Sequence, residues 1–99
     1  TIGDIEIDHV RHEFRLRSKT VNLTAREYAL ACFLFEHPNE LLSREQLLSA
    51  IWGREGQTTR TVDIHISKLR VKLELGQGGG PNITTLRGFG YRLEIPGQT

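Results

Sequence analysis

The sequence has a single cysteine among its 99 residues, and no apolar run reaches the eighteen or so residues that cross a membrane. Cys32 alone cannot form an internal disulfide. No charged segment followed by an apolar one opens the chain, so we expect no secretory leader. These absences favour a cytoplasmic protein, and the length is that of one domain, which we place at residues 1–99.

The chain also lacks a strong net charge, because 13 Lys and Arg against 12 Asp and Glu leave only +1. The total hides a gradient. Residues 1–57 hold seven basic and nine acidic side chains, net −2, whereas residues 58–99 hold six and three, net +3. Since charge effects extend only about 8 Å at physiological salt, a locally basic surface is sufficient to attract a phosphate backbone. The gradient therefore permits nucleic-acid binding without establishing it.

Residues 1–23 alternate apolar and polar side chains, which is the pattern of β-strands. Three strands are predicted, with the apolar pairs Ile5 and Ile7, Phe14 and Leu16, and Val21 and Leu23. Polar breaks at residues 8–9 and 17–19 separate them. The segment is expected to form a small antiparallel meander.

Three helices are predicted over residues 24–75. Thr24 with Glu27, and Ser43 with Gln46, have the spacing of capping boxes and mark the starts of the first two helices. Gly53 is expected to close the second helix. The third helix is indicated by an apolar stripe, and we expect it to end at Gly76. This stripe consists of Val62, Ile66, Leu69 and Leu73.

The chain is expected to finish with a β-hairpin over residues 83–95. Two apolar segments, 83–86 and 91–95, are joined by the turn residues 87–90. The glycine-rich tract 76–80 before them lacks the Gly-Lys-Ser/Thr ending of a phosphate loop. We therefore interpret both glycine-containing segments as turns.

The third helix has a second face that its apolar stripe does not use. Ile64 and Val71 lie there among polar side chains, where they could meet thymine methyl groups while the polar groups reach base edges or phosphates. The alternative is that both aliphatic side chains pack under the neighbouring loop or sheet. The face comprises Arg60, Thr61, Ile64, Ser67, Lys68 and Val71.

Five segments, in order, resemble the OmpR/PhoB effector domains, the DNA-binding output domains of two-component response regulators. The resemblance runs over residues 23–91, so it covers most of the chain. The segments are Leu23-Thr24 with Glu27-Tyr28, Leu42-Ser43-Arg44-Glu45, Ile51-Trp52-Gly53, the run from Arg60 to Arg70, and Leu86-Arg87-Gly88-Phe89-Gly90-Tyr91.

The resemblance implies an α+β winged helix-turn-helix. Its parts would be an N-terminal four-stranded antiparallel sheet, a three-helix bundle whose third helix enters the major groove, and a C-terminal hairpin wing at the minor groove. The residues implied to contact DNA are Arg60, Thr61, Ile64, His65, Ser67, Lys68, Arg70 and Lys72 on the helix, Thr85 and Arg87 on the wing, and Trp52 at the backbone. At position 68 a lysine offers a point charge where an arginine would offer a bidentate fork to guanine.

The resemblance also implies partners. They are double-stranded promoter DNA, a second copy on tandem half-sites, an N-terminal receiver domain that these residues do not contain, and RNA polymerase through the loop from Arg54 to Thr59. When bound to DNA the protein would be associated with the nucleoid. No membrane partner and no cofactor are expected.

Two other functions are weaker interpretations of the same residues. Asp63, His65 and Ser67 are the residue types of a hydrolase triad, but His65 sits roughly 200° around the helix from Asp63 and cannot bridge the two. The four histidines are scattered without metal-ligand spacing, so no metal site and no enzyme are expected. The serious alternative is a winged helix that binds another protein without specific DNA binding, because fold alone does not decide function.

Overall fold

A computed structural model of the protein describes residues 2–53, 56–77 and 79–96. Within them, three strands precede the first helix, a two-residue strand precedes the second, and two strands follow the third, which is an α+β architecture. The elements are β1 (Ile5–Asp8), β2 (Glu13–Leu16), β3 (Lys19–Val21), α1 (Ala25–Glu36), β4 (Leu42–Ser43), α2 (Arg44–Trp52), α3 (Thr59–Lys72), β5 (Asn82–Leu86) and β6 (Gly90–Glu94).

The N-terminal sheet is an antiparallel meander in the order β1-β2-β3, which confirms the predicted strand pattern. Phe14 pairs with Ile7 on one side and with Val21 on the other, and its side chain is fully buried. The implied four-stranded sheet is wrong for the described residues, because their fourth short strand, β4, pairs with β6 instead. Strand β3 stops at Val21, since the next residues lead into the helix cap at Thr24.

Both predicted capping boxes are present and explain where the first two helices begin. The Thr24 hydroxyl accepts a hydrogen bond from the Glu27 N–H, and the Glu27 carboxylate accepts one from the Thr24 N–H. Ser43 and Gln46 make the same reciprocal pair at the start of α2. Each cap satisfies two N–H groups that the first turn would otherwise leave without partners. Gly53 ends α2 as expected, with φ 63°.

Helix α3 ends at Lys72, earlier than the boundary at Gly76 that the sequence suggested. The chain turns at Glu74, which takes the left-handed conformation with φ 50° in the position where glycine is more usual. The N–H of Leu75 then donates to the Arg70 carbonyl and closes the helix end. Leu73 and Leu75 are buried on either side of this turn, so burial of two leucines offsets the strain of one backbone conformation.

The second sheet has the order β4-β6-β5 and contains the C-terminal hairpin. Strand β4 joins it through two pairs, Leu42 with Tyr91 and Ser43 with Gly90. Because β4 runs directly into α2, this sheet fixes the hairpin against the start of that helix. The core between the sheets and helices is built from buried side chains of every helix and of both sheets, including Phe14, Leu30, Leu34, Leu47, Ile66, Leu69 and Leu93.

Candidate nucleic-acid interface

Helix α3 exposes the face that its pattern predicted. Its stripe of Val62, Ile66 and Leu69 is buried in the core. Arg60, Ser67 and Lys68 are exposed, and Thr61 is half-buried. Among the described residues no hydrogen bond or ion pair engages Arg60 or Lys68, so both cationic groups are available to an external anion.

Two aliphatic side chains lie on this same face. Ile64 is 44% exposed and Val71 is 76% exposed, so neither packs under a loop or the sheet as the alternative interpretation required. Single exposed aliphatic residues are ordinary on protein surfaces. Here they share one helical face with Ser67 and Lys68 at spacings of three and four residues, which makes the face partly apolar and partly basic.

The half-buried Asp63 links the N-terminal half of α3 to neighbouring elements. Its carboxylate accepts two hydrogen bonds from the Arg44 guanidinium, at 3.1 and 2.6 Å, and one from the Tyr91 hydroxyl at 2.5 Å. Burial, followed by the hydrogen bond to Asp63, raises the pKa of Tyr91 to about 12. Asp63 thus links α2, α3 and β6, and its carboxylate is engaged by these partners rather than by His65 or Ser67.

Arg70 was implied to contact DNA, but its Nε and Nη2 donors are engaged inside the domain. The Ile83 carbonyl accepts from Arg70 Nε at 3.2 Å and from Arg70 Nη2 at 2.6 Å. The Thr85 hydroxyl oxygen accepts a further hydrogen bond from Nη2 at 2.8 Å. The guanidinium also lies 5.7 Å from the centre of the Tyr91 ring. Arg70 therefore connects α3 to β5.

Lys72 is likewise engaged within the fold, at the buried carboxylate of Glu27. The Lys72 ammonium donates to Glu27 Oε1 at 2.7 Å, and Glu27 is only 2% exposed. Burial by itself raises the pKa of Glu27, but the hydrogen bonds from Lys72 and from the Thr24 N–H, with the charges of Lys72 and Lys68, bring the pKa below its ordinary value. The pair ties the start of α1 to the end of α3.

The Glu27 pair predicts a pH dependence of stability. Because the folded-state pKa of Glu27 is lowered, the stabilisation it gives is present above its ordinary pKa of 4.5 and is lost as the pH falls through the lower folded value. We expect the free energy of unfolding to fall less between pH 6 and pH 3 in Glu27→Gln than in the unchanged protein. Urea titrations at each pH measure it, and equal falls in both proteins would contradict the assignment.

Trp52 and His65 pack together beside α3. The two rings meet edge to face with their centres 4.8 Å apart, and His65 Nδ1 lies 2.8 Å from the Thr61 carbonyl oxygen. Trp52 is 5% exposed, so its ring belongs to the core rather than to a docking surface. No hydrogen bond engages its Nε1, and every buried side-chain nitrogen or oxygen in the described ranges has a partner.

The turn of the hairpin is exposed. Arg87 and Gly88 are exposed in this turn, Gly88 has φ 77°, and Phe89 is 44% exposed. The Thr85 side chain is exposed next to it, and its oxygen receives the Arg70 bond. The Phe89 carbonyl accepts from the Arg44 N–H at 3.2 Å, which holds the base of the turn on the start of α2.

The loop between α2 and α3 was predicted to meet RNA polymerase. Arg54 and Glu55 lie outside the described residues. In the remainder of the loop, residues 56–58 are exposed, and the Thr61 hydroxyl donates to Gln57 Oε1 at 3.0 Å.

Sequence reasoning missed the internal partners of the predicted contact residues. Arg44 and Tyr91 were noticed only within the family motifs, Asp63 only there and as a rejected triad member, and the buried Glu27 only in a cap and a family motif. A usable signal existed, since Glu27 and Asp63 are acidic residues at positions adjoining apolar stripes, where a carboxylate needs a partner. Within the described ranges, no helix is long and apolar enough to cross a membrane and no group of three metal-ligating side chains occurs.

The comparisons with known proteins agree with this architecture. Residues 18–93 match the family model described as "Transcriptional regulatory protein, C terminal". The alkaline phosphatase synthesis transcriptional regulatory protein PhoP of Bacillus subtilis is 40% identical over 96 residues, which are 96% of this chain and 40% of that protein. The phosphate regulon regulator PhoB of Rhizobium meliloti is 41% identical over 93 residues, or 93% of this chain and 40% of that protein. The chain thus spans about two-fifths of these relatives.

Solved structures give the same result at the level of the fold. The AdeR DNA-binding domain in complex with an intercistronic region has a TM-score of 0.78 and 39% identity, with 94% of this chain and 95% of that chain covered. The DNA-binding domain of CpxR from E. coli has a TM-score of 0.82 and 31% identity, with 96% and 94% covered. The chain therefore belongs to the family of transcriptional regulatory protein C-terminal domains, the OmpR/PhoB-type winged helices that its motifs resemble.

Proposed function

We propose that this chain binds double-stranded promoter DNA in a sequence-specific manner, with α3 in the major groove. The observation that carries the proposal is the exposed face of α3, where Lys68 and Arg60 make no hydrogen bond or ion pair within the described residues while the opposite stripe is buried. The major groove admits a helix and presents a distinct pattern of donors, acceptors and methyl groups for each base pair. Lys68 and Ser67 are assigned to bases, and Arg60, Thr61 and His65 to the backbone or its vicinity.

The hairpin is assigned to the adjacent minor groove. Arg87 in its turn is exposed, and an arginine inserted into a narrow minor groove responds to groove width as well as to base identity. Thr85 is exposed beside it. Trp52 is assigned to the DNA backbone through its Nε1, the one polar atom of a ring that is otherwise packed in the core. The similar AdeR DNA-binding domain, solved in complex with an intercistronic region, supports binding to DNA.

Useful affinity is expected to need two copies of the domain. A single module of this kind buries on the order of 600 to 1,000 Å² on DNA, which is at the lower end for specific complexes. We infer that two copies lie head to tail on direct repeats. A preferred site that is strictly palindromic would contradict this arrangement.

The setting of the domain is inferred from its relatives. Because the chain spans only two-fifths of them, we infer that it works as the output part of a response regulator with a phosphorylated receiver domain, in the cytoplasm and at the nucleoid when bound. The loop at residues 54–59 is the proposed contact for RNA polymerase. No catalytic step is proposed, since Asp63 is bound to Arg44 and Tyr91 and no hydrogen bond joins His65 to Ser67 in the described structure.

The proposal is tested by selection from a random duplex library. The enriched duplexes are then titrated with the protein at several salt concentrations. We expect one short repeated motif, and a logarithmic affinity that falls with logarithmic salt by about 0.9 per phosphate neutralised. Absence of enrichment together with a flat salt response would instead favour a protein-interaction module, whose apolar contacts respond little to salt.

A further inference from the structure

Arg70 occupies a position between the two DNA-facing parts of the domain. It stands on α3 two residues after Lys68, yet all of its described hydrogen bonds go to the hairpin strand β5. Its planar fork places two donors on the Ile83 carbonyl, and one of them also reaches Thr85. These acceptors engage the Nε–Nη2 edge of the guanidinium, which is the edge that would form a bidentate pair.

We propose that Arg70 is a positioning residue that holds β5 and the Thr85 hydroxyl at a fixed distance from α3. The helix in the major groove and the hairpin in the minor groove then contact DNA in one fixed relative arrangement. The inference rests on the proposed function and deepens it. A hydroxyl has one hydrogen to donate and two lone pairs. Because the Thr85 oxygen already accepts from Arg70, its hydrogen is left for an acceptor other than Arg70, and the exposed position of Thr85 allows that acceptor to be on DNA. Acceptors at adenine N3 and thymine O2 line the minor groove of A·T pairs.

The Asp63 linkage supports the same role from the neighbouring strand. Tyr91 on β6 donates to Asp63 on α3, and the Arg70 guanidinium lies over the Tyr91 ring. Side chains of α3 thus hold both strands of the hairpin, one by Asp63 and one by Arg70. Backbone pairing fixes β5 to β6, but among the described residues only the Arg70 hydrogen bonds join β5 itself to α3.

The first test uses the free protein and two variants. Arg70→Gln removes the charge and the fork, whereas Arg70→Lys keeps the charge and loses the fork. We expect both to raise amide hydrogen exchange at residues 82–86 by about two- to tenfold for each hydrogen bond lost, with exchange in α1 unchanged. Unchanged exchange at residues 82–86 in both variants would overturn the proposal whether or not the protein binds DNA.

The second test uses the selected duplex with 2,6-diaminopurine in place of adenine at each position in turn. This base adds an amino group in the minor groove and leaves the major-groove pattern of adenine in place. The unchanged protein should lose affinity at the pairs under the hairpin. Both Arg70 variants should lose most of that discrimination while keeping the preference for the major-groove bases. If both variants lose affinity at the same diaminopurine positions and to the same extent as the unchanged protein, the positioning role is wrong.

Arg60→Gln is the matched control for a cation that acts on phosphate alone. It should weaken binding about equally on every duplex, lower the salt slope by about 0.9, and keep the diaminopurine profile. If Arg70→Gln does the same and Arg70→Lys restores full affinity, Arg70 is a phosphate contact and the proposal is wrong. If the unchanged protein shows no diaminopurine effect anywhere, the minor-groove assignment of the hairpin fails, and hydrogen exchange alone decides whether Arg70 holds β5.

Discussion

Replacement of Gly90 by alanine is expected to destabilise the domain by about 3 kcal/mol, at the upper end of the range for overpacking. A Cβ at this position would lie 2.0 Å from the Leu42 carbonyl oxygen, 2.8 Å from Ser43 Cα and 3.0 Å from Arg44 N. All three are backbone atoms, so no side-chain rotation can relieve the clash. Strand β6 would have to move away from β4 and from the start of α2.

That movement affects both the fold and the proposed interface. It would break the pairs Leu42 with Tyr91 and Ser43 with Gly90, and the Arg44 N–H bond to the Phe89 carbonyl. It would also pull the Tyr91 hydroxyl from Asp63. A loss of about 3 kcal/mol is a large share of the 5–15 kcal/mol that stabilises ordinary domains. Urea titration of both proteins gives the difference.

Gly80→Ala provides the matched control. Gly80 has an ordinary φ, and its added Cβ would meet only the Gln77 carbonyl oxygen at 3.5 Å, which is normal van der Waals contact. The same chemical change should therefore shift stability by no more than about 0.5 kcal/mol. Equal and small effects at Gly80 and Gly90 would show that β6 does not approach β4 as closely as the structure places it.

The parts of the fold that could be predicted depend on local sequence. A capping box needs only residues three apart, so Thr24 with Glu27 and Ser43 with Gln46 marked two helix starts correctly. The end of α3 depends on distant residues and was missed. Arg17, 57 positions earlier, donates at 2.9 and 3.0 Å to the carboxylate of Glu74, the residue with positive φ. Local propensity cannot reveal such a partner.

In the candidate site, too, local sequence predicted some residues correctly, whereas residues with distant partners were missed. Helical periodicity placed Ile64, Ser67 and Lys68 on an exposed face, because one stripe of a helix must be buried and its opposite face is then exposed. Arg70 and Lys72 were grouped with that face because they are basic and close in sequence. Their partners, Ile83 with Thr85 for Arg70 and Glu27 for Lys72, lie 13 to 45 positions away. Charge patterning therefore predicted which positions carry basic side chains, but not which of those side chains are bound to partners inside the domain.

Replacement of Lys68 by alanine tests the base-reading role directly. Lys68 is exposed on α3, and within the described ranges no ion pair or hydrogen bond restrains its ammonium. If it donates to a base edge, Lys68→Ala should cost about 1 to 3 kcal/mol on the preferred duplex and relax the choice of base at one position. Competition binding against duplexes varied at each position measures both effects.

Lys19→Ala removes the same charge from β3, on the N-terminal sheet, and is the matched control. Lys19 is exposed and belongs to no proposed contact, so its replacement should leave the base preferences unchanged. A uniform loss on all duplexes for Lys68→Ala, with a salt slope lower by about 0.9, would assign Lys68 to a phosphate. Base choice would then rest on Ser67 and the aliphatic Ile64 and Val71. Ile64 and Val71 would contact the 5-methyl group of thymine. Replacement of thymine by uracil in the duplex, which removes that methyl group, would then weaken binding of the unchanged protein.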